Sequence, residues 1–145
     1  MGEAFLLPDA PRPAPRRRLL LVDDELSVAK FLAHAAEECG FEAIVTVTAE
    51  SFRSQYRALS PDTVVLDLAL PGSDGVELLR FLAEEGCTAR VILVSGFDQR
   101  VLEAAMRLGA AMGLRMAPPL HKPVRLNQLM ATILDEEVED DPCIG

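Results

Sequence analysis

Tryptophan is absent from this 145-residue chain, and aromatic side chains make up only 5% of it. Basic residues are scarce beside acidic ones, 14 against 23, which leaves a formal net charge of −9. A protein that coats DNA or RNA needs a basic footprint to meet the phosphates, so that class is disfavoured and no nucleic-acid partner is expected. Cysteine is sparse too: Cys39, Cys87 and Cys143 fall at no metal-ligand spacing and build no disulfide framework. They read as buried or incidental thiols of a reducing compartment, and a cytoplasmic location is expected. No apolar run approaches the roughly 18 residues that span a bilayer. The apolar piece near the start, Ala4 to Leu7, is far too short for a signal peptide, and the Arg cluster follows it instead of preceding it.

What is present is globular material, 50% hydrophobic and 26% charged, of a length that suits one domain with one core. The charge is uneven. Residues 1–17 mix Pro8, Pro11, Pro13 and Pro15 with Arg12, Arg16 and Arg17. Alternating Pro with Arg and Ala supports neither a helix nor a sheet ladder, so this segment is expected to be a flexible arm. At the other end, residues 135–145 carry Asp135, Glu136, Glu137, Glu139, Asp140 and Asp141 and nothing basic, a net of −6. That segment reads as a solvated acidic tail. The expected domain is 18–134.

Between the two, short apolar runs alternate with helical periodicity. Arg18–Val22, Phe41–Val47, Thr63–Leu68 and Arg90–Val94 read as strands, with a weaker strand expected within Gly113–Leu120. Helices are expected from Val28 to Cys39, closed by Gly40; over Ala49–Leu59, ended by Ser60-Pro61; around Val76–Ala83; after Asp98, as a cap, through Leu108; and around Leu126–Ile133. Strands that are apolar along their whole length are buried on both faces. Five of them alternating with five helices imply parallel βαβ units in a doubly wound α/β sheet, helices on both faces. Ligands of such sheets sit at the carboxyl ends of the strands.

Those ends carry chemistry. The first strand runs into Asp23, Asp24 and Glu25, the third into Asp67, the fourth into Ser95, and the weak fifth into His121-Lys122-Pro123. Converging carboxylates repel one another and call for a cation. An all-oxygen donor set without nearby His or Cys favours a hard ion such as Mg²⁺. One Asp beside that ion could act as a nucleophile towards a phosphoryl group, with Ser95 and Lys122 meeting the phosphoryl oxygens. His34 and His121 have no partner pattern for catalysis.

Four segments, in order, resemble the response-regulator receiver domains of two-component signalling. They are Val22-Asp23-Asp24-Glu25, then Asp67-Leu68-Ala69-Leu70-Pro71-Gly72-Ser73-Asp74-Gly75, then Val94-Ser95-Gly96, and finally Lys122-Pro123. The likeness covers roughly residues 18–134. It implies a flavodoxin-like sheet of strand order 2-1-3-4-5, and it implies roles. Asp67 would be the phospho-acceptor. Mg²⁺ would be held by Asp24, Asp67 and the carbonyl of Ala69, with Asp23 helping. Ser95 would be the switch residue, and Lys122, before a cis proline, would contact the phosphoryl group. Pro71, Asp74 and Gly75 would shape the loop after Asp67.

The partners implied are a histidine kinase or phosphotransfer protein upstream, and downstream an unknown protein or a second copy. Either would be met through the fourth helix, fifth strand and fifth helix, where Arg100, Met106, Arg107, Met112, Arg115 and Met116 lie. The chain is expected to be a phosphoryl acceptor and not an enzyme. Asp-nucleophile phosphohydrolases need an acid two residues after the nucleophile, where Ala69 stands. One departure concerns the switch: the family usually has an aromatic three residues before the lysine, and here that position is Pro119. Gly113-Leu114-Arg115 in a slightly long segment bears a weaker resemblance to receivers found with cyclic-di-GMP phosphodiesterase domains. Two alternatives stand beside the switch: a phosphorylation-independent binding module of the same fold, and a fragment of a longer regulator.

Overall fold

A computed structural model describes residues 17–70, 75–96 and 99–135. The elements are β1 (Arg17–Val22), α1 (Leu26–Glu38), β2 (Phe41–Thr46), α2 (Ala49–Leu59), β3 (Thr63–Asp67) and α3 (Gly75–Glu84). They continue with β4 (Arg90–Ser95), α4 (Gln99–Ala111), β5 (Arg115–Met116), β6 (Leu120–His121) and α5 (Leu126–Leu134). All strand pairs are parallel, and the order across the sheet is β2-β1-β3-β4-β5, with β6 also on β4. The fold is the doubly wound sheet expected from alternating runs, in the expected order.

Alternation along the buried strands divides the core into two layers. Leu20, Val22, Val64, Leu66, Val91 and Leu93 face α2, α3 and α4, where Phe52, Leu78, Leu79, Leu82 and Leu102 meet them. Leu19, Leu21, Val65, Ile92 and Val94 face α1 and α5, where Leu32, Ala35, Ala36, Leu129 and Ile133 meet them. A strand buried on both faces cannot slip by one residue without exchanging these layers, so register is held tightly. That register brings the carboxyl ends of β1, β3 and β4 together.

Local chemistry sets the helix boundaries. Thr48 caps α2 through a reciprocal pairing with Ser51. Ser60 ends α2 in the left-handed region just before Pro61. Gly40, expected to close α1, lies one residue past the C-cap Cys39, at φ +89°. At the start, β1 reaches back to Arg17, one residue inside the expected arm: Arg17 pairs with Phe41, and its guanidinium lies over that ring. The rest of the arm, the tail beyond Asp135, Pro71-Gly72-Ser73-Asp74 and the expected cap Asp98 lie outside the described residues.

The weak fifth strand differs from expectation. It is split into β5 and β6, and the second piece ends at His121, one residue past the expected range. Met116 faces Val91, while Leu120 faces Val94, so the edge chain carries one residue more than β4 does. The two strand pieces are separated by Ala117, Pro118 and Pro119. Ala117 still donates to Val91, but the prolines have no N–H to give, and the ladder resumes only after them.

Gly75 opens α3 directly against Leu68, in the turn that follows β3. A Cβ at that position would collide with Leu68 Cδ2 and come within 3.2 Å of the Leu68 Cα, which is backbone and cannot rotate away. Gly75→Ala is therefore expected to destabilise the domain by about 1–3 kcal/mol, read as a lower urea midpoint with an unchanged slope.

Candidate functional site

The expected residues do converge at the carboxyl ends of the strands. Asp23 follows β1 and Asp67 ends β3; both are buried, while Asp24 stands exposed between solvent and the crevice. One oxygen from each of the three lies within 4.8 Å of the others.

The same local device orients the two buried carboxylates. The N–H of Glu25 donates to Asp23 Oδ1 at 2.9 Å, and the N–H of Ala69 donates to Asp67 Oδ1 at 3.0 Å. Each Asp binds the backbone two residues on, as Asp and Asn do in turns. With Oδ1 tied, each Oδ2 is turned inward. Lys122 Nζ lies 3.3 Å from Asp23 Oδ2, 3.4 Å from Asp67 Oδ2 and 3.2 Å from Glu25 Oε1. Lys122 itself is held by its backbone N–H on the carbonyl of Ser95, at 2.9 Å, and the Lys122–Pro123 peptide is cis, as expected. Ser95 is fully buried at the end of β4. Ala69 is exposed in the turn beside Asp67. Pro119, at the position where the receivers this chain resembles usually carry an aromatic, is partly buried.

The electrostatics are strained in one direction. Burial first, then the nearby Asp67 charge, push the Asp23 carboxyl above its usual range, against the Glu25 N–H and Lys122, which pull it down. Burial also works against the charge on Lys122, but Asp67, Glu25 and Asp23 outweigh it and hold the ammonium above the usual lysine range. Asp23 Oδ2 is buried and accepts no hydrogen bond: Lys122 approaches it as an ion-pair partner only. A buried oxygen lacking a donor, beside two more carboxylates, fits a hard divalent cation of the Mg²⁺ type.

Sequence reasoning assigned Glu25 no role, yet the structure places its carboxylate on Lys122. It also missed a groove of about 440 Å³ at the rim, lined by Glu25, Ser27, Val28, Phe31, Lys122, Pro123 and Val124. The signal for the groove was the apolar Val28 and Phe31 at helical spacing; only their exposure was illegible.

Asp23→Asn keeps the shape and removes a charge that the fold disfavours. In metal-free buffer it is expected to raise the melting temperature by about 4 °C, the shift that ~1 kcal/mol produces in a domain of this size. Folded Asp23 binds its proton more tightly than the unfolded chain does. Its penalty is therefore absent below the unfolded value of 3.8 and grows as pH rises through the folded value. Melts followed by circular dichroism at pH 7 and pH 4 check this, with the gap between variant and wild type narrowing at pH 4.

Residues 19–134 match the family model described as the response regulator receiver domain. The DNA-binding response regulator MtrA of Mycobacterium tuberculosis is 33% identical over 95 residues, which cover 66% of this chain and 42% of that protein. The photosynthetic apparatus regulatory protein RegA of Rhodobacter capsulatus is 29% identical over 119 residues, covering 81% of this chain and 61% of that protein. The chain thus spans about half the length of these bacterial relatives. A response regulator from Colwellia psychrerythraea superposes with a TM-score of 0.72 at 28% identity, over 83% of this chain and 96% of that one. No helix among the described residues is long and apolar enough to cross a membrane. The strand order, the acidic crevice with its lysine and the match across nearly the whole described chain agree, and the protein belongs to the receiver domains of two-component response regulators, a family that binds Mg²⁺ at an acidic pocket and interacts with kinases or phosphotransfer proteins.

Proposed function

We propose that this receiver accepts a phosphoryl group on Asp67 from the phosphohistidine of a kinase or phosphotransfer protein and passes the signal on by protein–protein contact. The observation that carries the reading is the Asp67 carboxylate itself: buried, fixed through Oδ1 by the Ala69 N–H, and presenting Oδ2 to Lys122 within reach of Asp23 and Asp24. An Asp67 oxygen attacks the phosphorus, the P–N bond breaks, and the imidazole nitrogen leaves with a proton from solvent. Asp23, Asp24 and Asp67, with the Ala69 carbonyl, would hold Mg²⁺, which when bound offsets the charge gathering on the phosphoryl oxygens. Lys122 pairs with one of those oxygens as a point charge, and Ser95 donates to another. The apolar groove of Val28, Phe31, Pro123 and Val124 adjoins Lys122 and gives a donor protein a surface beside the crevice.

The phosphoryl group biases a surface with two arrangements, around α4, β5, β6 and α5, towards one of them. Arg100, Arg107 and Arg115 are exposed on this side, while Met106, Met112 and Met116 pack partly buried against the core. Ala69 supplies no proton donor two residues after Asp67, so the chain acts as an acceptor with at most slow self-dephosphorylation, not as an enzyme with turnover.

A second reading is a binding module that works without phosphorylation. Pro119 favours it, because a proline, its side chain closed on its own backbone nitrogen, has no aromatic group to swing inward when Ser95 moves. Acetyl phosphate with Mg²⁺ separates the two. Wild type is expected to gain one phosphoryl group by intact mass, Asp67→Asn none, and chelation of Mg²⁺ to reduce uptake at least tenfold. Equal uptake by Asp67→Asn would overturn the acceptor assignment. No uptake by wild type, with no response to beryllofluoride, would favour the second reading.

A further inference from the structure

Glu25 is placed in an unusual way for a helix-capping acid. It is the N-cap of α1, where an acidic side chain ordinarily accepts from the helix's own free N–H groups. It makes no such bond. Its backbone is fixed on both sides, its N–H on Asp23 Oδ1 and its carbonyl accepting from Ala29 at 2.9 Å. The side chain, 60% exposed, instead reaches across to Lys122 Nζ at 3.2 Å. That is the shortest of the three carboxylate approaches to the ammonium, and the only one of the three from a residue at the solvent rim.

We propose that Glu25 is a positioning residue that holds the Lys122 ammonium at the rim, in competition with any anionic group carried on Asp67. The proposal rests on the reading of Asp67 as phosphoryl acceptor. A phosphoryl oxygen on Asp67 needs the same Nζ that Glu25 occupies, and that ammonium already donates to Glu25 and Asp67 while pairing by charge with Asp23. Glu25 thereby sets how readily Lys122 is drawn inward and how far the phosphoryl state is favoured. An exposed ion pair of this kind is weak, so the competition is a modest one, adjusting the equilibrium and not blocking it.

Two substitutions separate reach from charge. Glu25→Gln removes the charge, and Glu25→Asp keeps it but shortens the side chain by one methylene, out of range of Nζ. With Mg²⁺ at saturation, both are expected to bind beryllofluoride roughly two- to fivefold more tightly than wild type by calorimetry. In a Lys122→Met background, changing Glu25 is expected to make no difference, as a coupling between the two side chains requires. Tighter binding by Glu25→Gln with Glu25→Asp equal to wild type would overturn the proposal in favour of simple charge repulsion at the rim. So would an effect that persists without Lys122. Unchanged beryllofluoride affinity in both variants, while wild type still binds it in a Mg²⁺-dependent way, sinks this proposal alone. Absence of Mg²⁺-dependent beryllofluoride binding in wild type sinks the acceptor reading and this proposal with it.

Discussion

Like charges gathered in a place that water does not reach are the constraint around which this domain is arranged. Asp23 and Asp67 sit buried at the ends of neighbouring strands, and in a poorly solvated site their repulsion is far stronger than it would be in water. Lys122 relieves that repulsion only in part, since it is shared with Glu25 and leaves Asp23 Oδ2 without a hydrogen bond. The two core layers supply the counterweight. Leucine, isoleucine and valine on both faces of β1, β3 and β4 hold those strands in one register, so the carboxylates cannot drift apart. Stability made in the middle of the sheet is thus spent at its end, a common arrangement at functional sites.

Much of this was legible in the residues alone, for identifiable reasons. β3 and β4 are apolar runs that stop at a polar residue, so both their burial and their useful ends could be read directly. Asp23, Asp24, Asp67, Ser95 and Lys122 were found because each follows or ends such a run. The split of the fifth strand was not legible. It depends on which residues of the edge chain face Val91 and Val94, and an extra residue beside two prolines changes that register without changing the composition. The contact between Glu25 and Lys122 was illegible for a different reason. Both residues were noted at strand ends, but the direction of an N-cap side chain depends on its neighbours, and the partner is 97 positions away in sequence.

The two faces of the site also differ in how firmly they are built. On the β1 and β3 side, each carboxylate is tied by a backbone N–H two residues on, which costs no distant partner. On the β4 and β6 side, the backbone N–H of Lys122 is bonded to Ser95, and its ammonium is aimed by partners from distant elements, Glu25, Asp67 and Asp23. A change of charge in the crevice therefore acts first on the lysine and on Ser95, to which its backbone is bonded.

The doubled proline between β5 and β6 has a further effect at the sheet's border. An edge strand with a regular row of N–H and C=O groups invites another chain to pair with it, and that is how folded domains begin to stick to one another. Here the row is broken in the middle by two residues without N–H and by a one-residue offset, leaving two-residue strands on either side. A foreign strand laid along this border would find donors and acceptors in step for barely one turn of the pleat. The segment around Pro118 and Pro119 thus also makes this side of the sheet a poor template for strand addition.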